Sequence, residues 1–275
     1  MDILREELPI TSPHALSISS FDRALLFLTI IAPFVLFFYH PGHEWVGAVP
    51  LFIVLLYFWR QDFGLFVKAV FWPILYVSLL YVPWPLCFIL PLGLYFSAYV
   101  GSQKFRLIDR WLTTGRLTRE TVIWMVATIL VSSGALLIWV FLFHPRLDDL
   151  AAMIPAVRPW QLVAIGIAFS TLNATWEELI LKGLAWSSLQ SVFKSAYIVN
   201  VAQAVLFGLA HFQGFPRGWI GVLMAAVYGL ALGVIRKKSQ GLLASIIAHI
   251  FADGTIFVVL YCISIGLLPV VQSGT

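Results

Sequence analysis

Residues Trp160–Leu189 read WQLVAIGIAFSTLNATWEELILKGLAWSSL, a run apolar enough to cross a bilayer that nonetheless carries Glu177, Glu178 and Lys182. An ionised group in hydrocarbon is costly unless it is paired or hydrated, so charged residues in such a run mark places where polarity is required. On a helix, Glu178 and Lys182 are i,i+4 neighbours that can neutralise each other, while Glu177 points about 100° away. One carboxylate is thereby left for other work. The plain alternative is a buried ion pair that only fixes helix packing.

Working outward, the rest of the chain has the same character. Of its 275 residues 61% are hydrophobic and only 11% charged, far below the quarter or so usual in soluble domains. The apolar runs are about 16 to 25 residues long and unbroken, which excludes a β-barrel built on alternating segments of about ten. The expected fold is all-α, a polytopic transmembrane bundle of about eight or nine spanning helices. Cys87 and Cys262 both lie in apolar runs, so neither a disulfide framework nor a cysteine metal site is implied. The net charge of +4 falls in short loops and reports membrane orientation rather than nucleic-acid binding.

The spans are expected at about 21–39, 45–59, two within 63–100 split at Val82-Pro83-Trp84-Pro85, then 121–144, 160–189, 196–212, 219–235 and 242–268. Residues 1–20 lack the apolar core of a cleavable signal and read as an N-terminal cytoplasmic segment. Residues 21–155 form the N-terminal helices and 156–270 the core that carries the polar residues. His40, His43 and Glu44 flank a Pro-Gly turn and read as an interfacial loop, since they lack the helical register of a metal motif. Lys104, Arg106, Arg110, Arg116 and Arg119, and later Arg236-Lys237-Lys238, read as basic inside loops. They agree with an integral, multi-pass protein of the plasma (inner) membrane with a cytoplasmic N-terminus. Gly221, Ala225, Gly229 and Gly233 form a small-residue stripe that lets helices approach closely. The intramembrane charges are expected only in the second half of the chain.

Three of the last four helices carry polar stripes at helical spacing. They comprise Ser170, Asn173 and Glu177; Asn200, Gln203, Phe207 and His211; and Ser245, His249 and Asp253. Counted at 1.5 Å per residue from the basic turns, Glu178, His249 and Asp253 lie within roughly 10 to 20 Å of the inside face, with His211 the outlier at roughly 23 Å. A carboxylate with two imidazoles can activate a water and steady an oxyanion, the minimum for hydrolysing an acyl bond. The same three groups could ligate zinc with a water in the open position. Cofactors are accordingly expected to be none, with zinc the open alternative.

Glu177-Glu178-x-x-x-Lys182, Phe207-x-x-x-His211 and His249-x-x-x-Asp253, in this order and spacing, resemble the motifs of the CPBP superfamily. This is the family of intramembrane proteases related to the CAAX prenyl protease of the Rce1 type and to bacteriocin-processing and immunity proteins. The resemblance covers about residues 160–260. It implies catalytic roles for Glu177 (water-activating base), Glu178 (its supporting carboxylate), His211 (positioning or protonation) and His249 with Asp253 (oxyanion side), supported by Lys182, Phe207 and Asn173. Lys182 departs from the family Arg, and an ammonium cannot make the bidentate fork of a guanidinium.

Two readings follow. The first is an intramembrane endopeptidase whose partners are the bilayer and a membrane-embedded or lipidated peptide substrate, with no nucleic acid. The second is a non-enzymatic immunity, scaffold or transport protein using the same stripes for ion pairing.

Overall fold

The computed structural model describes residues 19–38, 53–60 and 62–268, and every regular element among them is helical. Among the described residues four helices are long and apolar enough to span a bilayer, Phe63–Tyr81, Arg119–Phe143, Gly218–Ser239 and Leu243–Ser264, and Leu86–Gly101 and Ala196–Ala210 are shorter apolar segments. The chain is thus an integral membrane protein of helical class. His40, His43 and Glu44 lie outside the described residues.

Two compact units divide the chain: Met1–Arg110 with Ser187–Lys194, and Trp111–Trp186 with Ser195–Thr275. In the first, α1 (Ser20–Phe38) packs on α3 (Phe63–Tyr81), which also packs on α4 (Ile89–Gly101); α2 occupies 53–60 and α5 Gln103–Ile108. Asp62 caps α3 by accepting from the Leu65 amide at 3.0 Å, leaving one fewer unsatisfied donor at the helix start. At the heart of this unit Lys68, on α3, lies 3.3 Å from Asp109. Asp109 also accepts from the hydroxyls of Tyr95 and Ser187, and Lys68 donates to Ser191 at 3.3 Å. Lys68, Tyr95, Asp109 and Ser187 are all buried. The expectation that intramembrane charge is confined to the second half therefore fails. Lys68 lies within a candidate span, and a lone lysine among so many apolar neighbours leaves no periodic mark.

The second unit comprises α6 (Arg119–Phe143), the short α7 (Asp148–Ala151), α8 (Pro159–Glu178), a π-helical stretch Leu179–Ala185, α10 (Ala196–Ala210), α11 (Gly218–Ser239) and α12 (Leu243–Ser264). A further helix, α9 (Trp186–Val192), follows the π stretch. The pairs α10–α11, α8–α12 and α6–α12 make the main contacts. The small-residue stripe is the seam of the first pair: a Cβ on Gly229 would stand 3.2 Å from the Phe207 Cβ and 3.3 Å from the Ala204 Cα. Such a seam replaces the missing hydrophobic drive between helices in lipid by close backbone packing.

Two expectations about the basic residues need correction. Arg236-Lys237-Lys238 is not a loop but the last turn of α11, where cations complement the helix dipole. Within 101–120 there is a helix, α5, and beyond it an extended segment pinned to the turn between α11 and α12. Arg116 donates its amide to the Ser239 carbonyl at 2.7 Å, and the Leu242 amide donates to the Thr113 carbonyl at 2.9 Å. Gly115 sits at the closest approach, with φ +79° and no room for a side chain against Ser239 and Gly241.

Gly229→Leu is expected to lower stability by about 1–3 kcal/mol through overpacking, read as a fall in melting temperature in detergent and in bilayers. Unchanged melting would mean that the stripe faces lipid. Asp109→Asn leaves Lys68 buried without its counter-charge and is expected to cost about 3 kcal/mol. Adding Lys68→Met should recover part of that loss in the same melting assay.

Candidate active site

The polar residues that three sequence motifs put forward converge in the second unit. Glu178 is sealed, with no exposed side-chain surface, and its Oε1 lies 3.7 Å from the equally sealed Lys182 Nζ. The same oxygen accepts from His249 Nδ1 at 3.1 Å. Lys182 Nζ sits over the Phe207 ring, 4.3 Å from its centroid, so an aromatic face supplies the favourable contact that water would give an exposed ammonium. Here the expected i,i+4 pair exists, although the helix around it is not α.

Directly after Glu178 the backbone bonding lengthens to i→i+5, with the Trp186 amide reaching the Leu181 carbonyl. Single-turn π segments leave backbone groups to be satisfied from outside and recur at functional sites. Arg236 does part of this: its Nε donates to the Lys182 carbonyl and its guanidinium lies 4.7 Å from the Trp186 ring. Gly183 is required on the opposite side, because a Cβ there would enter the Trp111 ring.

Glu177 is placed differently from its neighbour, with 21% of its side chain exposed. Its Oε1 accepts from Asn173 Nδ2 at 3.0 Å. Its Oε2 has no hydrogen-bond partner and lies 3.9 Å from His211 Nε2 and 3.7 Å from His249 Nε2. Asn173 Nδ2 also donates to Asp253 Oδ2 at 3.1 Å, and Asp253 Oδ1 is 3.6 Å from His249 Nε2. Helices α8 and α12 are therefore tied together through one amide that bridges two carboxylates.

One proton on each imidazole follows from its partner, because a carbonyl or carboxylate oxygen only accepts. His211 Nδ1 donates to the Phe207 carbonyl at 2.8 Å, and His249 Nδ1 donates to Glu178. Each ring thus presents Nε2 toward Glu177. The Phe207 ring lies against both, 4.5 Å from the His211 ring and 5.6 Å from that of His249. His211, the outlier in depth, reaches the site from the position just after α10, which ends at Ala210.

Most of the other predicted polar residues separate from this cluster. Gln203 donates to the Gly229 carbonyl at 3.0 Å and Asn200 to the Leu230 carbonyl at 3.2 Å, so they join α10 to α11. Ser170 donates within its own helix to the Gly166 carbonyl at 2.8 Å, and Ser245 donates to the Leu242 carbonyl at 2.9 Å while also lying against Glu178. For Asn200, Gln203 and Ser170 the structural role is the one realised. Tyr228, on α11, is the residue that motif reading missed: its ring is edge-on to His249 at 5.6 Å. No sequence signal marks it, since it stands alone on a helix of small residues.

Beside the cluster lies a cavity of about 500 Å³, lined chiefly by apolar side chains of α6, α11 and α12, with His211, Tyr228, His249 and Asp253 among its walls. Val131, Leu223 and Val227 line it too and stand exposed on the flank of the unit, the surface that lipid covers. Among the described residues no group of three or more His, Cys, Asp or Glu side chains is arranged to hold a metal ion.

Residues 159–255 match the family described as type II CAAX prenyl endopeptidase, Rce1-like. No curated protein and no solved structure matches the chain. The matched segment runs from the first residue of α8 to just beyond Asp253, so it contains all three motifs and bears out the resemblance read from them. In the Rce1-like segment the Lys182 departure is accommodated by a site already closed around an ammonium, with Phe207 beneath it and Arg236 on the adjoining carbonyl.

At the mouth of the loop after α10, Arg217 binds Asp149 through both guanidinium nitrogens, at 3.0 and 2.7 Å. That hydrogen bond holds the Asp149 carboxyl below its ordinary range. A depressed carboxylate contributes stability above its unfolded pKa and loses it as pH falls through the folded value. The pair is exposed, so the contribution stays below about 1 kcal/mol.

Glu178→Gln is expected to lower stability by about 3 kcal/mol, since it strands a sealed ammonium. Thermal melting in lipid nanodiscs checks this. A melting temperature equal to wild type would show that Lys182 is not held by Glu178.

Proposed function

We propose that the chain is an intramembrane endopeptidase that hydrolyses a peptide bond of a membrane-embedded or lipidated substrate with a water activated by Glu177. One observation carries the reading: Glu177 keeps an oxygen without a hydrogen-bond partner, aimed between two imidazole Nε2 atoms, beside a cavity with apolar walls. Glu178 also leaves one oxygen unmatched, but it is sealed against an ammonium, whereas Glu177 is 21% exposed and faces two imidazoles.

In this reaction the Glu177 carboxylate takes a proton from water as the oxygen attacks the scissile carbonyl carbon. The carbonyl electron pair moves to oxygen, and His249, held as an imidazolium among Glu177, Glu178 and Asp253, hydrogen-bonds the oxyanion through its Nε2 proton. His211, whose Nε2 faces the same oxygen of Glu177, relays the proton to the departing amine as the C–N bond breaks. Asp253 and Asn173 orient His249 and Glu177. Glu178 and Lys182 hold the ring of His249 and the turn behind it.

The cavity suits an apolar chain better than a peptide backbone, because a peptide's amide groups would lie there without partners. This supports a lipidated, CAAX-type substrate whose lipid fills the cavity while the peptide reaches Glu177. No metal is needed for these steps. Orientation follows the basic residues, with the N-terminus cytoplasmic in a plasma (inner) membrane. A non-enzymatic transport role would favour a polar path crossing the unit, whereas His211, His249 and Asp253 gather at one cavity wall.

Purified protein in bilayers, offered a prenylated C-terminal peptide, is expected to release the C-terminal fragment. Glu177→Gln should reduce turnover by about 10²- to 10⁴-fold, the usual scale of a lost general base, with melting unchanged. Full turnover by this variant would overturn the reading. Activity is expected to survive exhaustive chelation; stoichiometric zinc lost together with activity would replace the metal-free step. With nine crossings from a cytoplasmic N-terminus, a cysteine placed at Thr275 should label from the outside face, and labelling only from the cytoplasm would overturn that topology.

A further inference from the structure

The site as described is short of hydrogen-bond donors. Both Asn173 amide hydrogens are directed to carboxylates, Glu177 and Asp253. His249 has one N–H engaged by Glu178, which leaves Nε2 alone for a substrate oxyanion. Asp253, on the side where an oxyanion would lie, only accepts while ionised. Yet the transition state of amide hydrolysis concentrates negative charge on one oxygen, and in a water-poor site that charge needs fixed donors aimed at it.

One hydroxyl in the second unit is in the right place and unused. Tyr228 Oη is buried and has no hydrogen-bond partner, and its side chain lines the same cavity as His249 and Asp253. A buried polar group without a partner costs stability, so its retention beside the cavity calls for a use. The ring is held in place: it lies edge-on to His249, 5.6 Å away at 85°, and 6.1 Å from Phe207. Its helix position is fixed by the next residue, Gly229, which packs on Phe207. A phenol is a donor in its ordinary state, needing no proton uptake to serve.

We propose that Tyr228 is a further catalytic residue, whose hydroxyl donates a hydrogen bond to the scissile carbonyl oxygen together with His249 Nε2. This rests on the peptidase reading above and names a second donor for the same oxyanion. As water adds to the carbonyl carbon and its proton passes to Glu177, the π electron pair becomes a lone pair on oxygen, and Tyr228 O–H shortens its contact to that oxygen without giving up its proton. When the intermediate collapses, the carbonyl re-forms, the C–N bond breaks, the amine leaves with the proton relayed through His211, and Tyr228 is unchanged. Because the donor acts on charge present only in the transition state, its loss should fall on kcat and leave KM nearly untouched.

The test compares wild type, Tyr228→Phe and Glu177→Gln in bilayers on one prenylated C-terminal peptide, with melting temperatures measured on the same samples. Tyr228→Phe is expected to lower kcat by about 10²- to 10³-fold, the scale for one lost oxyanion donor. KM should stay within about two-fold, and melting should be equal to or above wild type because an unpartnered buried hydroxyl has gone. If Glu177→Gln is inactive while Tyr228→Phe turns over at the wild-type rate, the Tyr228 role is wrong and the peptidase reading stands. If Tyr228→Phe melts several degrees lower, the hydroxyl serves packing, and the proposal is overturned in that case as well. Full turnover by Glu177→Gln would remove the peptidase reading and the Tyr228 role together.

Discussion

An ammonium and a carboxylate sealed together, Lys182 and Glu178, set the terms for the second unit. In a bundle surrounded by lipid neither charge has water to fall back on. Their surroundings must therefore supply what water would, and much of the unit's polar architecture does so. Phe207 presents its face to the ammonium, His249 spends one N–H on the carboxylate, and Arg236 takes the carbonyl of Lys182. Satisfying the pair thereby fixes the positions of three helices, and with them the rings that face Glu177. The Gly229 seam completes this arrangement by letting α10 and α11 come close enough for Phe207 to reach the pair.

The two adjacent glutamates divide the labour that one polar segment must perform. Glu178 is fully enclosed and paired with an ammonium, whereas Glu177 is partly open and turns an unmatched oxygen toward two imidazoles. A similar division runs through the other polar residues. Asn200 and Gln203 join helices, and Lys68 with Asp109 closes the core of the first unit, while His211, His249 and Asn173 turn toward Glu177. Interhelical hydrogen bonds in membrane proteins are individually modest, so the packing groups act by number and the candidate catalytic groups by convergence.

Much of this was legible in the chain. Helix boundaries in the second unit fall within a few residues of those expected, and Glu177, Glu178, Lys182, Phe207, His211, His249, Asp253 and Asn173 meet as the spacing of the motifs anticipates. What escaped has physical reasons. The π stretch at Leu179–Ala185 is hidden because apolar periodicity is read against 3.6 residues per turn, and the wider turn depends on Arg236 and Trp111, distant in sequence. Tyr228 carries no periodic partner. The stripe containing Asn200, Gln203, Phe207 and His211 read as one polar face, but Asn200 and Gln203 are taken up by carbonyls of α11 and only Phe207 and His211 reach the site. Lys68 was overlooked because its partner Asp109 follows it by many residues and lies in a segment taken for a loop.

The central claim is that Glu177 activates water and does not itself attack the substrate. A single turnover of prenylated peptide in heavy-oxygen water, followed by mass spectrometry of both product and enzyme, tests this most directly. Water activation predicts heavy oxygen in the newly formed carboxyl terminus of the product and none in the Glu177 side chain. Heavy oxygen in the Glu177 carboxylate would reveal a covalent acyl intermediate on that residue and contradict the account.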